Sequence, residues 1–137
     1  LAGCPSPAAG GVRLVGVRVE NFTNETQTVD VTVTDDRGVV HDSTVDVPGV
    51  SETADGEQVF GARFVGCTWD ATEAGPFVVT ATHEATGETT RLGADDVTGC
   101  HWASVRVDAG LTAHWNDCEP YEGEGHLCHE AGRAAEE

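Results

Sequence analysis

Near its C-terminal end the chain gathers side chains that bind borderline and soft metals: His114, Cys118, His126, Cys128 and His129. Thiolate and imidazole are the ligands that zinc and copper prefer. Their spacing follows no standard site. There is no Cys-x-x-Cys pair, and no methionine anywhere to complete a blue-copper centre. Carboxylates are too evenly spread to single out an acid–base dyad. Asp35-Asp36, Asp95-Asp96 and Asn116-Asp117 offer oxygen ligands to calcium, but none matches a helix–loop–helix calcium loop. No Gly-x-Ser-x-Gly elbow exists, and the few serines have no evident histidine partner. We therefore expect no enzyme and no cofactor, with a metal site at the C-terminal cluster kept as an alternative.

The start of the chain reads Leu1-Ala2-Gly3-Cys4, followed by Pro5, Ser6, Pro7, Ala8, Ala9, Gly10 and Gly11. These residues resemble a lipobox, the processing site of secreted lipoproteins, in which small residues precede a cysteine that takes a lipid on its sulfur. The resemblance implies a lipid anchor on Cys4 and a flexible tether after it, and maturation at such a site would remove residues 1–3. No apolar run approaches the roughly 18 residues needed to span a bilayer as a helix, so contact with a membrane is expected only through the lipid. Asn21-Phe22-Thr23 and Asn24-Glu25-Thr26 are tandem Asn-x-Thr glycosylation acceptors in an expected turn.

With Cys4 set aside, Cys67, Cys100, Cys118 and Cys128 remain, an even number as a two-disulfide framework requires. Gly66-Cys67-Thr68-Trp69 echoes Gly99-Cys100-His101-Trp102, which favours a Cys67–Cys100 bond with a tryptophan two residues on covering it. Cys118 with Cys128 would then tie the C-terminal segment to the last strand. Trp69, Trp102 and Trp115 are expected as core or disulfide cover in preference to an aromatic binding face. His41 and His83 are expected as packing or surface residues of strands.

Composition sets the environment. The 137 residues carry a net charge of −17, from 24 acidic and 7 basic residues, all seven of them arginine. So much like charge opposes compaction in dilute buffer. In molar salt the Debye length falls to about 3 Å and the repulsion is screened. The composition fits a protein that folds in brine. It argues against nucleic acid, whose phosphates are met by Lys and Arg. The absence of lysine excludes P-loop phosphate binding and Schiff-base chemistry. Hydrophobic residues make up 39%, too many for a wholly disordered chain.

The elements that must position these groups are strands. Val29, Val31 and Val33 alternate with Asp30, Thr32 and Thr34, and Val15, Val17 and Val19 are expected to face opposite to Arg18 and Glu20. A polar loop, Asn21 to Gln27, separates the two, and Asp35-Asp36-Arg37-Gly38 turns into a strand from Val39 to Val47. Further strands are expected at Phe60 to Phe64, Phe77 to His83, Thr89 to Leu92, His101 to Val107 and Leu111 to Trp115. Only the last ten residues hint at a helix.

The valine strand, the Asn-rich loop, the Thr-Val-Asp-Val-Thr-Val run and the Asp-Asp-Arg-Gly turn, over residues 12 to 47, resemble immunoglobulin-like domains of haloarchaeal surface lipoproteins. The resemblance implies a scaffold without chemistry. The resulting expectation is an all-β, antiparallel immunoglobulin-like sandwich of seven or eight strands with an irregular acidic C-terminal tail. Residues 1–11 form the lipobox-like start and tether, 12–118 the sandwich, and 119–137 the tail, outside the sandwich. The expected function is an extracellular, lipid-anchored, non-enzymatic module that is structural or binds a protein or another envelope component. A filament subunit assembled through strand edges is the second alternative.

Overall fold

A computed structural model describes residues 11–65, 68–69, 73–94 and 97–118 of the chain. Among them every regular element is a strand: β1 (Gly11–Asn21), β2 (Gln27–Asp35), β3 (Gly38–Val47), β4 (Ser51–Glu52), β5 (Gln58–Val59), β6 (Gly61–Val65), β7 (Ala74–Gly75), β8 (Val78–His83), β9 (Thr89–Gly93), β10 (Thr98–Val107) and β11 (Leu111–Asp117). The first sheet has the order β11–β10–β1–β6, with β7 also pairing with β1; the second has the order β3–β2–β8–β9. β4 and β5 form a separate two-stranded hairpin.

The chain is all-β, but its pairing is mixed. β1 runs parallel to β10, from Gly11 opposite Thr98 to Asn21 opposite Val107. This corrects the expectation of a wholly antiparallel fold. Hairpins impose antiparallel neighbours only on strands close in sequence; β1 and β10 are joined by most of the chain, which is the long connection that parallel pairing needs. Parallel strands tend to be covered on both sides. β1 follows suit, with nine of its eleven residues buried.

One core cluster takes side chains from both sheets. Val12, Leu14, Val17 and Val19 of β1, and Ala103, Val105 and Val107 of β10, meet Val29, Val31 and Val33 of β2 and Val79 and Ala81 of β8. Each fully buried aliphatic side chain is worth about 1.5–3 kcal/mol, so these alternating positions supply most of the drive to pair the sheets. The alternation of β2 holds as expected.

That of β1 does not. Leu14 stands opposite His101 and Val17 opposite Ala103, so β1 holds one extra residue between them. The bulge shifts the phase of the strand. Val15, expected on the same side as Val17 and Val19, instead packs in a second cluster with Trp102 and Cys118. Trp69 donates its indole N–H to the Leu14 carbonyl at 2.6 Å, beside the irregularity.

Two glycines let the loops at one end close on each other. A β-carbon on Gly61 would lie 1.8 Å from the Pro48 carbonyl oxygen, and one on Gly49 would lie 2.6 Å from the Asn24 carbonyl carbon. Only a residue without a side chain allows that approach.

The lipobox-like start with Cys4, together with Cys67, Asp95, Asp96 and residues 119–137, lies outside the described residues.

Candidate functional site

The outer face of the β11–β10–β1–β6 sheet carries a connected set of polar and aromatic groups. At one end Cys100 and Cys118 form a disulfide, with Cα atoms 5.5 Å apart. The bond follows from register. β10 and β11 pair antiparallel, with His101 opposite Asp117, so the next position outward sets Cys100 against Cys118. The Cys118 amide donates to the Cys100 carbonyl at 3.3 Å. The expected pairing is thereby corrected: Cys100 bonds Cys118 and not Cys67, and Cys118 is not bonded to Cys128. Trp102 does pack over the bond, in one cluster with Val15, Cys118, Phe64 and Cys100.

Next along the face sits Arg18. The Arg18 guanidinium lies 4.8 Å from the Trp102 ring centroid, 5.9 Å from that of Phe60 and 6.0 Å from that of Phe64. A guanidinium over an aromatic face is attracted by the ring quadrupole and stacks flat on it. The Arg18 Nε donates to Glu20 Oε2 at 2.8 Å. Glu20 is only 3% exposed, and its other oxygen lies 3.6 Å from the Arg106 Nε. Arg106 sits 4.5 Å over the Phe22 ring, which stacks on Phe60 at 4.5 Å. Trp102, Arg18, Glu20, Arg106, Phe22 and Phe60 thus form a continuous layer.

The sheet geometry brings Phe64 to this layer as well and explains part of the arrangement. Arg18 is opposite Phe64 on β6, and Glu20 is opposite Arg106 on β10. The alternation of β1 already turns Arg18 and Glu20 away from the valines, but the aromatic partners come from positions 22, 60, 64 and 102. Sequence spacing does not reveal that neighbourhood.

The two glycosylation acceptors are not equivalent. Asn21 is fully buried. Its Nδ2 donates to the Glu25 carbonyl at 2.7 Å and the Val47 carbonyl at 2.9 Å, and its Oδ1 accepts from the Thr23 amide at 2.8 Å and the Thr23 hydroxyl at 2.7 Å. Both amide protons are committed, so in this conformation Asn21 staples the loop. Asn24 is exposed at the tip of that loop.

The expected metal ligands do not converge among the described residues. Cys118 is bonded to Cys100 and so supplies no thiolate. This removes Cys118 from the metal set. His114 stands on β11 opposite Ser104. His126, Cys128 and His129 lie outside the described residues, and no group of three metal-ligating side chains occurs among those described.

The remaining singled-out residues serve packing. Trp69 lies in the main core, 6.4 Å from the Phe77 ring, and Trp115 bridges the sheets by donating to the Gly93 carbonyl at 2.8 Å. The three tryptophans occupy different sites and form no common face. His83 hydrogen-bonds with Gln27 Oε1 at 2.6 Å and the Thr86 hydroxyl at 3.1 Å. His41 shares hydrogen bonds with the Thr68 and Ser43 hydroxyls at 3.1 and 2.9 Å, and burial pushes its imidazole below the usual histidine range while Asp42 opposes the shift.

A cleft of about 280 Å³ lies at the β2–β3 turn, lined by Asp35, Asp36, Arg37, Glu73, Pro76 and Phe77 among others. Its cation is already present: Arg37 binds Asp35 Oδ2 at 2.6 Å, and this hydrogen bond holds the Asp35 carboxyl below the usual range.

Comparison with known protein families and with curated proteins finds no match for the chain. The class is therefore defined by fold and face alone: an all-β protein of two main sheets, with an arginine–aromatic layer and a disulfide on the outside of one of them.

Proposed function

We propose that this chain is an extracellular, lipid-anchored, non-enzymatic β-sandwich module of a halophilic archaeon, with a structural or partner-binding role. The Cys100–Cys118 bond carries the reading, because stable disulfides belong to oxidising compartments and are rare in the cytosol of mesophiles. The lysine-free composition and net charge of −17 support the saline setting. The lipobox-like Cys4 and the exposed acceptor Asn24 support display outside the cell. The core shared by the two main sheets supports the sandwich reading. The strand order differs from the constant-type division into four and three strands, since β2 and β3 are neighbours in one sheet here.

The test is an intact mass, without reductant, on protein from the membrane fraction of a halophilic host. A lipid on Cys4, with Cys4→Ser releasing the protein into the medium, supports the anchored module. Soluble cytoplasmic protein with free thiols at Cys100 and Cys118 would sink it.

The filament alternative draws on β3, a ten-residue strand at a sheet edge. Open edges can pair with a second chain, although the exposed Asp42 and Asp46 oppose it. A protein that stays monomeric at high concentration in molar salt rejects this alternative.

A further inference from the structure

We propose that the link between Asp55 and Gly56, at the tip of the β4–β5 hairpin, is a site of spontaneous aspartate isomerisation in the folded protein. It is the one place in the chain where an aspartate precedes a glycine. Two properties of the hairpin make the pair reactive: it is exposed, and little holds it closed.

Every residue from 51 to 59 is exposed, and neither core cluster takes a side chain from them. β4 and β5 join neither main sheet and meet at two positions, Ser51 opposite Val59 and Glu52 opposite Gln58. A two-stranded hairpin with no buried face is marginal in water. Such a unit opens locally at far less cost than the whole fold. In the closed turn the Gly56 amide donates to the Thr53 carbonyl at 2.9 Å, and the Thr53 amide donates to the Glu57 carbonyl at 2.8 Å. The Gly56 nitrogen is therefore engaged until the turn opens, and local opening sets the rate.

The step needs only water. The Gly56 nitrogen attacks Cγ of the Asp55 carboxyl group. The new N–Cγ bond closes a five-membered succinimide, and the carboxyl hydroxyl leaves with the amide proton as water. Glycine favours the attack because no side chain flanks its nitrogen, and nothing lies within 4 Å of where a β-carbon would stand. A second water then reopens the ring. Addition at the side-chain carbonyl restores aspartate. Addition at the main-chain carbonyl breaks its bond to the Gly56 nitrogen and leaves isoaspartate, with the chain running through the Asp55 side chain. The turn then holds an extra backbone carbon, which puts the Gly56–Thr53 and Thr53–Glu57 hydrogen bonds out of register. The two main sheets stay intact because the hairpin lies outside them.

Several other aspartates lack one of these conditions. Asp30, Asp42 and Asp46 lie within β2 and β3, where the ladder fixes the backbone. The Asp35 carboxylate is held by Arg37. Asp108 sits in an exposed turn, but Ala109 follows it and its Oδ1 accepts from the Gly110 amide at 3.0 Å.

The test incubates the folded full chain in molar salt made up in heavy-oxygen water. Its peptides are then mapped by mass after digestion with a protease that cleaves before aspartate but not before isoaspartate. A second form of the Asp55 peptide should accumulate, eluting apart from the first, resisting cleavage before residue 55 and differing in mass only by the heavy oxygen. Its yield should exceed that at Asp108 several-fold. Asp55→Glu, which cannot close a five-membered ring, should remove it. Urea kept below the unfolding transition should leave the rate nearly unchanged, because opening the hairpin exposes little surface. Absence of the second form, or equal yields at Asp55 and Asp108, overturns the proposal. A rate that climbs with urea in step with lost global stability also overturns it, because the ring then forms only in the unfolded chain.

Discussion

Glu20 lies between two arginines that come from different strands: Arg18, two residues earlier on β1, and Arg106, directly across on the parallel strand β10. The carboxylate is buried, whereas Arg106 is half-exposed and Arg18 is sheltered by three rings. A buried charge is tolerated when it is paired and hydrogen-bonded, and removing one partner exposes the cost of the others. The layer therefore behaves as one unit.

Replacing Glu20 with Gln should destabilise the fold by about 1–3 kcal/mol, the usual range for a lost charge-assisted hydrogen bond at a covered site. Arg18→Lys should lose part of the same, because an ammonium cannot stack on three rings. Urea unfolding in molar salt measures both. If neither variant shifts the midpoint, the layer does not contribute to stability.

Non-reducing digestion should yield one cross-linked peptide pair holding Cys100 and Cys118. A Cys67–Cys100 peptide in its place would contradict the register of β10 and β11. Breaking the bond with Cys100→Ala and Cys118→Ala should cost about 3 kcal/mol, from the entropy of the loop it closes. Denaturant midpoints for oxidised, reduced and doubly substituted protein test the magnitude.

Asn21 and Asn24 should respond oppositely to substitution. Asn21→Ala removes a buried amide with four hydrogen bonds and leaves the Val47 carbonyl without its donor, for a loss of about 2–4 kcal/mol. Asn24→Gln should change stability by less than about 0.5 kcal/mol, as surface substitutions do. In a glycosylating halophilic host only Asn24→Gln should lower the mass by a glycan. A glycan found on Asn21 of folded protein would overturn the burial argument.

His41 gives a sign for the pH dependence. Burial lowers its folded pKa below the ordinary value of 6.5. The unfolded chain therefore takes up the proton first as pH falls. The contribution of His41 to stability is complete above about 6.5 and is lost as pH falls from there through the folded pKa. His41→Gln, which keeps hydrogen bonding without the titration, should flatten the stability profile below pH 6.5 compared with the parent. Parallel profiles would show that His41 does not titrate with unfolding.

Much of the fold was readable in residue order. Each of the eight segments expected as strands overlaps one of the longer strands, because a half-buried strand writes its burial as alternation, as Val29, Val31 and Val33 do. The three two-residue strands left no such trace: β4, β5 and β7 are too short to alternate. Trp102 does pack against a disulfide, but against Cys100–Cys118 and not the Cys67–Cys100 bond it was expected to cover. Arg18 and Glu20 were correctly turned away from Val17 and Val19, yet nothing in their spacing announced the layer they would join.

What only the tertiary structure decided depends on partners remote in sequence. The phase of Val15 changed because β1 carries an extra residue against β10, and a bulge exists only relative to the strand across from it. Cys100 found Cys118 and not Cys67 through the register of a hairpin; the echoing residues around Cys67 and Cys100 recorded a local likeness and no distance. Asn21 and Asn24 read alike as acceptors, but the carbonyl of Val47, 26 positions away, claims the first and leaves the second in solvent. Composition and alternation, by themselves, determined an acidic all-β protein. Register, the bulge and the closing of distant loops determined which of its side chains meet, since those contacts form only when the sheets pair.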